Sequence, residues 1–261
     1  MKNFQYRILK LFLPFLFIYA IIIWLRNYFY DKKWLKVIDF NKPIISVGNI
    51  STGGTGKTPL VIYIAKLLIK NNKIPAVISR GYGRKSKGLR VVHDGNKIIN
   101  NSEVSGDEPF LIAQTISTIP VIVSENRIKG INYLLDNFEF DVIIMDDGFQ
   151  HRAVKRNLDI ITISAKDPIS NYKLLPLGNL REPLKKIYRA DCIIYTKTDN
   201  YKIPDIHYKI KDYIKLKYLL SISKPLLMKF ENDKYKKTFL PEEPVFVFCG
   251  IADPKSLILS I

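Results

Sequence analysis

Residues 44–61 read Ile44-Ile-Ser-Val-Gly48-Asn-Ile-Ser51-Thr-Gly53-Gly54-Thr-Gly56-Lys57-Thr58-Pro59-Leu-Val61, and this stretch decides the fold. The apolar run Ile44 to Val47 predicts a buried strand, and apolar residues resume at helical spacing from Leu60 to Leu68. Between them a loop with three glycines closes on Gly56-Lys57-Thr58. Strand, glycine-rich loop and helix in that order are the context a phosphate-binding loop requires. Glycines let successive backbone N–H groups converge on phosphate oxygens, and the helix that follows adds its positive N-terminal end. In that geometry Ser51, Thr52, Gly53, Gly54, Thr55, Gly56, Lys57 and Thr58 cradle a nucleoside triphosphate. Lys57 reaches the β- and γ-phosphates, and the Thr58 hydroxyl ligates Mg²⁺. Ser51 departs from the general pattern, which expects the first glycine there.

Outward from this loop the chain alternates strand and helix. Strands are predicted at Pro75–Ser79, Pro120–Ser124, Asp141–Met145, Leu158–Ile163 and Asp191–Tyr195, with helices at Glu108–Thr118 and Asn126–Asn137. Leu89 to Ile99 reads as a hairpin turning at Asp94-Gly95. Short β-branched runs separated by helices predict an α/β fold, a parallel sheet with helices on both faces. After about residue 200 this regularity fades into a Lys- and Tyr-rich stretch, the expected start of a second, smaller subdomain. A strand is expected there at Pro244–Gly250.

The N-terminal 30 residues differ in kind. Leu11 to Leu25 carries no charge, with Arg7 and Lys10 before it and Arg26 after it. Trp24, Tyr28, Phe29 and Tyr30 suit an interfacial aromatic belt. The run is shorter than the roughly 20 residues an upright span needs. No small-residue cleavage site follows, which argues against a removed signal peptide. Lys32, Lys33 and Lys36 favour an anionic surface. The expectation is a membrane anchor, spanning or lying in the interface, with a buried core helix as the competing reading.

The 261 residues are 47% hydrophobic and 25% charged, a globular composition able to bury a sizeable core. The net charge of +17 suits anionic partners such as an acidic membrane surface or a phosphorylated substrate. A lysine-rich composition accounts for it equally well, and no compact Arg-rich or aromatic-interleaved patch points to nucleic acid. Cys192 and Cys249 each sit in an apolar strand-like run, as core thiols do.

Chemistry gathers in four further places. Asp146-Asp147-Gly148-Phe149-Gln150-His151 directly follows a predicted strand. A carboxylate at the carboxyl end of a parallel strand lies beside the phosphate loop and can hold Mg²⁺. The residues do not decide which aspartate touches the metal, and Asp-Asp-Gly is also a common turn. Gly106-Asp107-Glu108-Pro109 opens a helix, where Asp107 serves either as an N-cap or as a base accepting a hydroxyl proton. Arg127 and Arg181 can neutralise phosphate charge or stand solvated at the surface. Thr196-Lys197-Thr198-Asp199 imitates a guanine-selecting sequence, but no Asp-x-x-Gly stands at the expected strand end. A partitioning ATPase would want Lys before Gly53-Gly54, where the chain has Thr52.

Six stretches in order carry a resemblance. The loop Gly48–Pro59, Ser79-Arg80-Gly81-Tyr82-Gly83, Gly106–Pro109 and Asp146–His151 are followed by Leu180-Arg181-Glu182-Pro183 and Phe248-Cys249-Gly250-Ile251-Ala252-Asp253-Pro254. Together they closely resemble the tetraacyldisaccharide 4′-kinase (lipid A 4′-kinase) family over nearly the whole chain. The resemblance implies an enzyme transferring a phosphoryl group from ATP, with Mg²⁺, to the 4′-hydroxyl of a tetraacylated glucosamine disaccharide 1-phosphate. It implies a place at the inner membrane with the catalytic domain on the cytoplasmic face, and no obligate protein partner. It makes Asp107 the base, with Lys57 and Asp147 also catalytic. Thr58, Asp146 and Glu108 become metal-site residues, and Arg127, Gln150 and Arg181 substrate residues. Residues 1–30 become the anchor, 31–200 the kinase core with a lid at about 88–99, and 201–261 an incomplete C-terminal subdomain. The family continues beyond Pro254 and carries a later histidine expected to pair with the Asp107 position, whereas no histidine follows His207 here. Reduced activity, or nucleotide binding with little kinase activity, is the alternative expectation on that ground.

Overall fold

The computed structural model describes residues 2–198, 204–213, 219–220, 228–231 and 234–237, with side chains described for 17–198 and 204–213. The elements run α1 (Lys2–Asp31), β1 (Ile44–Gly48), α2 (Lys57–Lys70), β2 (Pro75–Ser79), β3 (Arg90–Asp94), α3 (Ser102–Ser105) and α4 (Asp107–Thr115). They continue with β4 (Pro120–Val123), α5 (Arg127–Asn137), β5 (Val142–Asp146), β6 (Leu158–Ser164), β7 (Cys192–Thr196), α6 (Ile206–Ile210) and β8 (Leu219–Leu220). A separate antiparallel pair, β9 (Met228–Glu231) and β10 (Lys234–Lys237), follows. The Pro244–Gly250 strand and Cys249 lie outside the described residues.

Eight strands form one sheet in the order β3-β4-β2-β5-β1-β6-β7-β8. Every pairing is parallel except the edge pair β3–β4. The 88–99 hairpin thus takes a different form from a free-standing one. Its first arm, β3, joins the main sheet, and its return is a single bridge from Ile98 to His93. The turn itself sits where the sequence puts it. The Asp94 carboxylate accepts from the N–H groups of Asn96 and Lys97, both at 2.8 Å. These bonds hold the Asp94 carboxyl below its ordinary range.

Strand residues point alternately to the two faces of the sheet, and both faces are covered. Val121 and Val123 of β4, Ile144 of β5, Ile160 of β6 and Ile194 of β7 pack with Val61, Ile64 and Ala65 of α2 and Ile112 and Ala113 of α4. Their neighbours in sequence turn to the other face. There Ile122, Ile143 and Met145 meet Ile131 and Leu134 of α5. Ile161, Ile163, Ile193 and Tyr195 meet Ile187, Ile206 and Ile210. Two covered faces are why these strands read as continuous apolar runs rather than alternating ones. Each fully buried Ile or Val contributes about 1.5–3 kcal/mol of transfer free energy.

Helix α1 has two stripes over its described side chains. Tyr19, Ile23, Arg26, Asn27 and Tyr30 recur at helical spacing and are shielded, Asn27 almost completely. Phe17, Ile18, Ile21, Ile22, Trp24, Leu25 and Tyr28 face outward, Phe17 with 68% of its surface exposed. This half of α1 is therefore not a core helix. Trp24 stacks on Tyr28, and Trp34 packs edge-on against Tyr28 and beside Phe29. Among the described residues no helix is long and apolar enough to cross a membrane.

Candidate active site

The carboxyl ends of parallel strands converge on one edge of a sheet, and ligands of open α/β folds bind there. At this edge β1 delivers residues 49–56 into α2, β5 delivers 147–151, and β2 delivers 80–83.

The loop from Asn49 to Gly56 is braced from within the fold. Asn49 Nδ2 donates to Thr55 Oγ1 at 3.1 Å, and Thr55 Oγ1 lies 2.7 Å from Thr162 Oγ1. Thr196 Oγ1 donates to the Thr55 carbonyl at 2.8 Å. Gly53 and Gly56 have φ of 105° and 78°, the left-handed region that favours glycine. Ser51 does not, so a side chain is accommodated there without strain. Its backbone instead bridges antiparallel to Leu180, flanked by Thr52 N–H to the Asn179 carbonyl at 2.7 Å and Arg181 N–H to the Ile50 carbonyl at 2.9 Å. This splice seats the phosphate loop on the Arg181 segment. Gly54 is exposed, whereas Lys57 and Thr58 are buried at the start of α2.

Beside Lys57 stands the paired aspartate. Asp147 accepts from Arg181 Nη1 at 2.9 and 3.0 Å through its two oxygens, and lies 3.6 Å from Lys57 Nζ. Burial alone would raise its pKa, but Lys57 and Arg181 outweigh that and hold the carboxyl below its ordinary value. Asp147 sits at φ 52°, an uncommon conformation that Asp tolerates better than most residues. Arg181 Nη1 also donates to Gln150 Oε1 at 3.3 Å, and Gln150 Nε2 donates to the Asn49 carbonyl at 2.9 Å. Lys57, Asp147, Arg181 and Gln150 are thus one connected cluster.

Asp146 is fully buried beside it. Its Oδ2 accepts from Ser79 Oγ at 2.8 Å, while Oδ1 has no hydrogen-bond partner among the described residues. Burial raises its pKa, against the opposing pull of Ser79 and Lys57. The Glu108 carboxyl is raised by partial burial and then by the charge of Asp146, which places it at the same edge. Arg127 is buried, donating to the Asp146 carbonyl at 3.0 Å and to the Ser124 carbonyl. Burial lowers its pKa to about 10, so it remains a cation. Next to it, burial and then the Arg127 charge lower His151 to about 4, leaving a neutral imidazole. A cavity of about 410 Å³ is lined by both, with Glu125, Asn126 and Ile128.

Asp107 is the first residue of α4, and the N-cap is Gly106, so the capping alternative is corrected. Its side chain is exposed and makes no hydrogen bond or ion pair among the described residues. Among the described residues no three His, Cys, Asp or Glu side chains gather as a metal cluster.

With this geometry in view, the comparisons are decisive. A family model described as tetraacyldisaccharide-1-P 4′-kinase matches residues 8–261. The chain belongs to this family. It is 37% identical to the tetraacyldisaccharide 4′-kinase of Chlorobium luteolum, over 95% of this chain and 72% of that one. It is 46% identical to the Aquifex aeolicus kinase, over 70% of this chain and 57% of that one. A crystal structure of the Aquifex aeolicus protein, described as an "apo" form in complex with ATP, superposes with a TM-score of 0.68 and 43% identity. That match covers 74% of this chain and 61% of the other. The chain therefore spans less than two thirds of the Aquifex kinase and somewhat more of the Chlorobium one.

In this member of the kinase family the structure brings Lys57, Asp147, Gln150 and Arg181 together, with Asp146 and Arg127 bonded beside them. Ser79, Thr196 and Glu182 were quoted in the sequence only within motif stretches and given no role. Ser79 and Thr196 are the last residues of strands, a position that aims them at the site edge, which was the available signal. Glu182 was quoted only as part of the Leu180–Pro183 stretch, and nothing local marks it as buried.

Proposed function

We propose that this chain transfers the γ-phosphate of ATP to the 4′-hydroxyl of a tetraacylated glucosamine disaccharide 1-phosphate. The observation that carries the reading is the Lys57–Asp147–Arg181 chain of ion pairs at the start of the helix that follows the phosphate loop. In this reading Ser51 to Thr58 hold the nucleotide phosphates through backbone N–H groups, and Lys57 neutralises charge on the transferring group. Asp147 keeps Lys57 and Arg181 oriented, Gln150 and Arg181 face the lipid disaccharide, and Arg127, named with them from the sequence, lies buried behind Asp146 and adds its charge from there. Asp107, which is exposed and has no hydrogen bond or ion pair among the described residues, accepts the proton of the attacking hydroxyl.

The residues fit Mg²⁺. Asp146 Oδ1 is a buried oxygen without a partner among the described residues, and Thr58, Glu108 and Asp146 offer the hard oxygen donors that this ion takes. Bound there, Mg²⁺ neutralises charge on the phosphate oxygens. The outward apolar stripe of α1, its aromatic end and Lys32, Lys33 and Lys36 support a membrane anchor at the cytoplasmic face of the inner membrane. A lipid whose acyl chains stay in the bilayer is met most directly by an enzyme held at that surface. The test is to incubate purified protein with ATP, Mg²⁺ and the disaccharide lipid. The 4′-phosphorylated lipid is expected, and nucleotide binding without lipid phosphorylation would overturn the assignment.

A further inference from the structure

The inward stripe of α1 does more than rest on the core. Tyr19 Oη donates to the Arg181 carbonyl at 2.8 Å, and Arg26 donates to the Gln150 carbonyl. Asn27 is 1% exposed, and its Nδ2 donates to Glu182 Oε2 at 3.0 Å. Glu182 is wholly buried and ion-paired with Arg189 at 3.0 Å. Arg189 in turn donates to Asn27 Oδ1 at 3.3 Å and lies 4.4 Å from the centre of the Phe149 ring. Arg152 donates to the Asn27 carbonyl at 3.1 Å and pairs with Asp31 at 2.7 Å. One face of α1 thus grips the two segments that present Arg181 and Gln150, and reaches through Arg189 to the ring that follows Asp146-Asp147-Gly148. A buried amide satisfied on both its oxygen and its nitrogen fixes one arrangement of its partners.

We propose that Asn27 is a positioning residue: through Glu182 and Arg189 it holds Arg181 and Gln150 in register with the phosphate loop. The inference rests on the kinase reading above. It makes α1 a structural part of the active site as well as its anchor, so the turnover step, and not membrane attachment alone, depends on this helix.

Asn27→Leu keeps the side-chain volume and removes the amide. Its kcat with micellar lipid substrate is expected to fall about tenfold, with KM for ATP and binding of a fluorescent ATP analogue unchanged within about twofold. Arg181→Ala is expected to lower kcat about 10²-fold. If Asn27 acts through Arg181, the double variant loses no more than Arg181→Ala alone. A product of the two losses, about 10³-fold, would overturn the proposal. So would an unchanged kcat in Asn27→Leu, or a loss of ATP binding in step with kcat. Tyr19→Phe, which removes a single hydroxyl from the same stripe, covers the case in which Asn27→Leu does not fold. It is expected to lower kcat about two- to threefold, again without effect in the Arg181→Ala background, and full additivity there overturns the idea. A wild-type enzyme without lipid phosphorylation would instead refute the kinase reading, which keeps the two failures separate.

Discussion

The phosphate loop and the segment 179–189 lie side by side and share backbone hydrogen bonds, yet their chemistry is gathered differently. The groups that mark the loop, its glycines, Lys57 and Thr58, follow one another in sequence, although Thr162, Thr196 and Leu180 brace it from elsewhere in the fold. The 179–189 segment has no regular element except a 3₁₀ stretch at Leu184–Arg189. Residues 171–175 and the Glu182–Arg189 pair hold it locally, and Arg181 and Glu182 are also tied to partners 31 to 162 residues away, on α1 and in the Asp147–Gln150 turn. Chemistry common to nucleotide users is carried by residues adjacent in sequence, whereas the Arg181 segment, proposed above to meet the lipid, draws on distant pieces.

That contrast can be broken at its strongest point first. Lys57→Ala removes a cation from the transferring group without touching the core, so kcat is expected to fall roughly 10³-fold while the melting temperature changes little. Equal loss of fold and turnover would show that Lys57 holds the loop in the fold rather than acting on the transferring group. A smaller effect is expected at the joint between β1 and the aspartate turn. A Cβ added at Gly48 would lie 2.6 Å from Phe149 Cβ and 2.8 Å from its backbone nitrogen. Gly48→Ala is expected to destabilise by about 1–3 kcal/mol in urea unfolding, because backbone must move to admit the methyl group.

The smallest effect sharpens the comparison through pH. The folded pKa of Asp147 lies below its unfolded value near 3.8. A depressed carboxylate contributes stability that is fully present above the unfolded pKa and is lost as pH falls through the folded one. Asp147→Asn should therefore cost stability at neutral pH, and the gap from wild type should close as the pH drops below about 4. Melting temperatures of both proteins between pH 7 and pH 3 measure it, and a gap that widens on acidification would contradict the ion-pair account.

The sheet was legible because its strands are continuous apolar runs, and the predicted bounds of β2 agree with the structure at both ends. The loop was legible because strand, glycines and Gly56-Lys57-Thr58 stand in order, and the aspartates only through their place after a strand that ends beside it. Arg127 was ambiguous, since a lone arginine after Asn looks the same solvated or buried. Its role as a buried cation depends on Ser124 and on Asp146, 19 residues away. The antiparallel docking of β3 was hidden for a similar reason, because alternation in Arg90–Asp94 does not say which edge accepts the strand. Asn27 was the least visible of all. Amid an apolar helix a single Asn reads as a polar interruption, and only its contacts 155 and 162 residues ahead make it part of a site.

The backbone splice at Ser51 and Leu180 has a consequence for how the molecule opens. The amides of Thr52 and Arg181 are each bonded to a carbonyl on the opposite segment, at 2.7 and 2.9 Å. Neither can exchange its hydrogen with solvent unless the two segments separate, so they belong to a single cooperative opening unit. A nucleotide that tightens residues 51–58 slows exchange at Arg181 as well, and the protection of that one amide becomes a readout, on the substrate side, of occupancy on the nucleotide side.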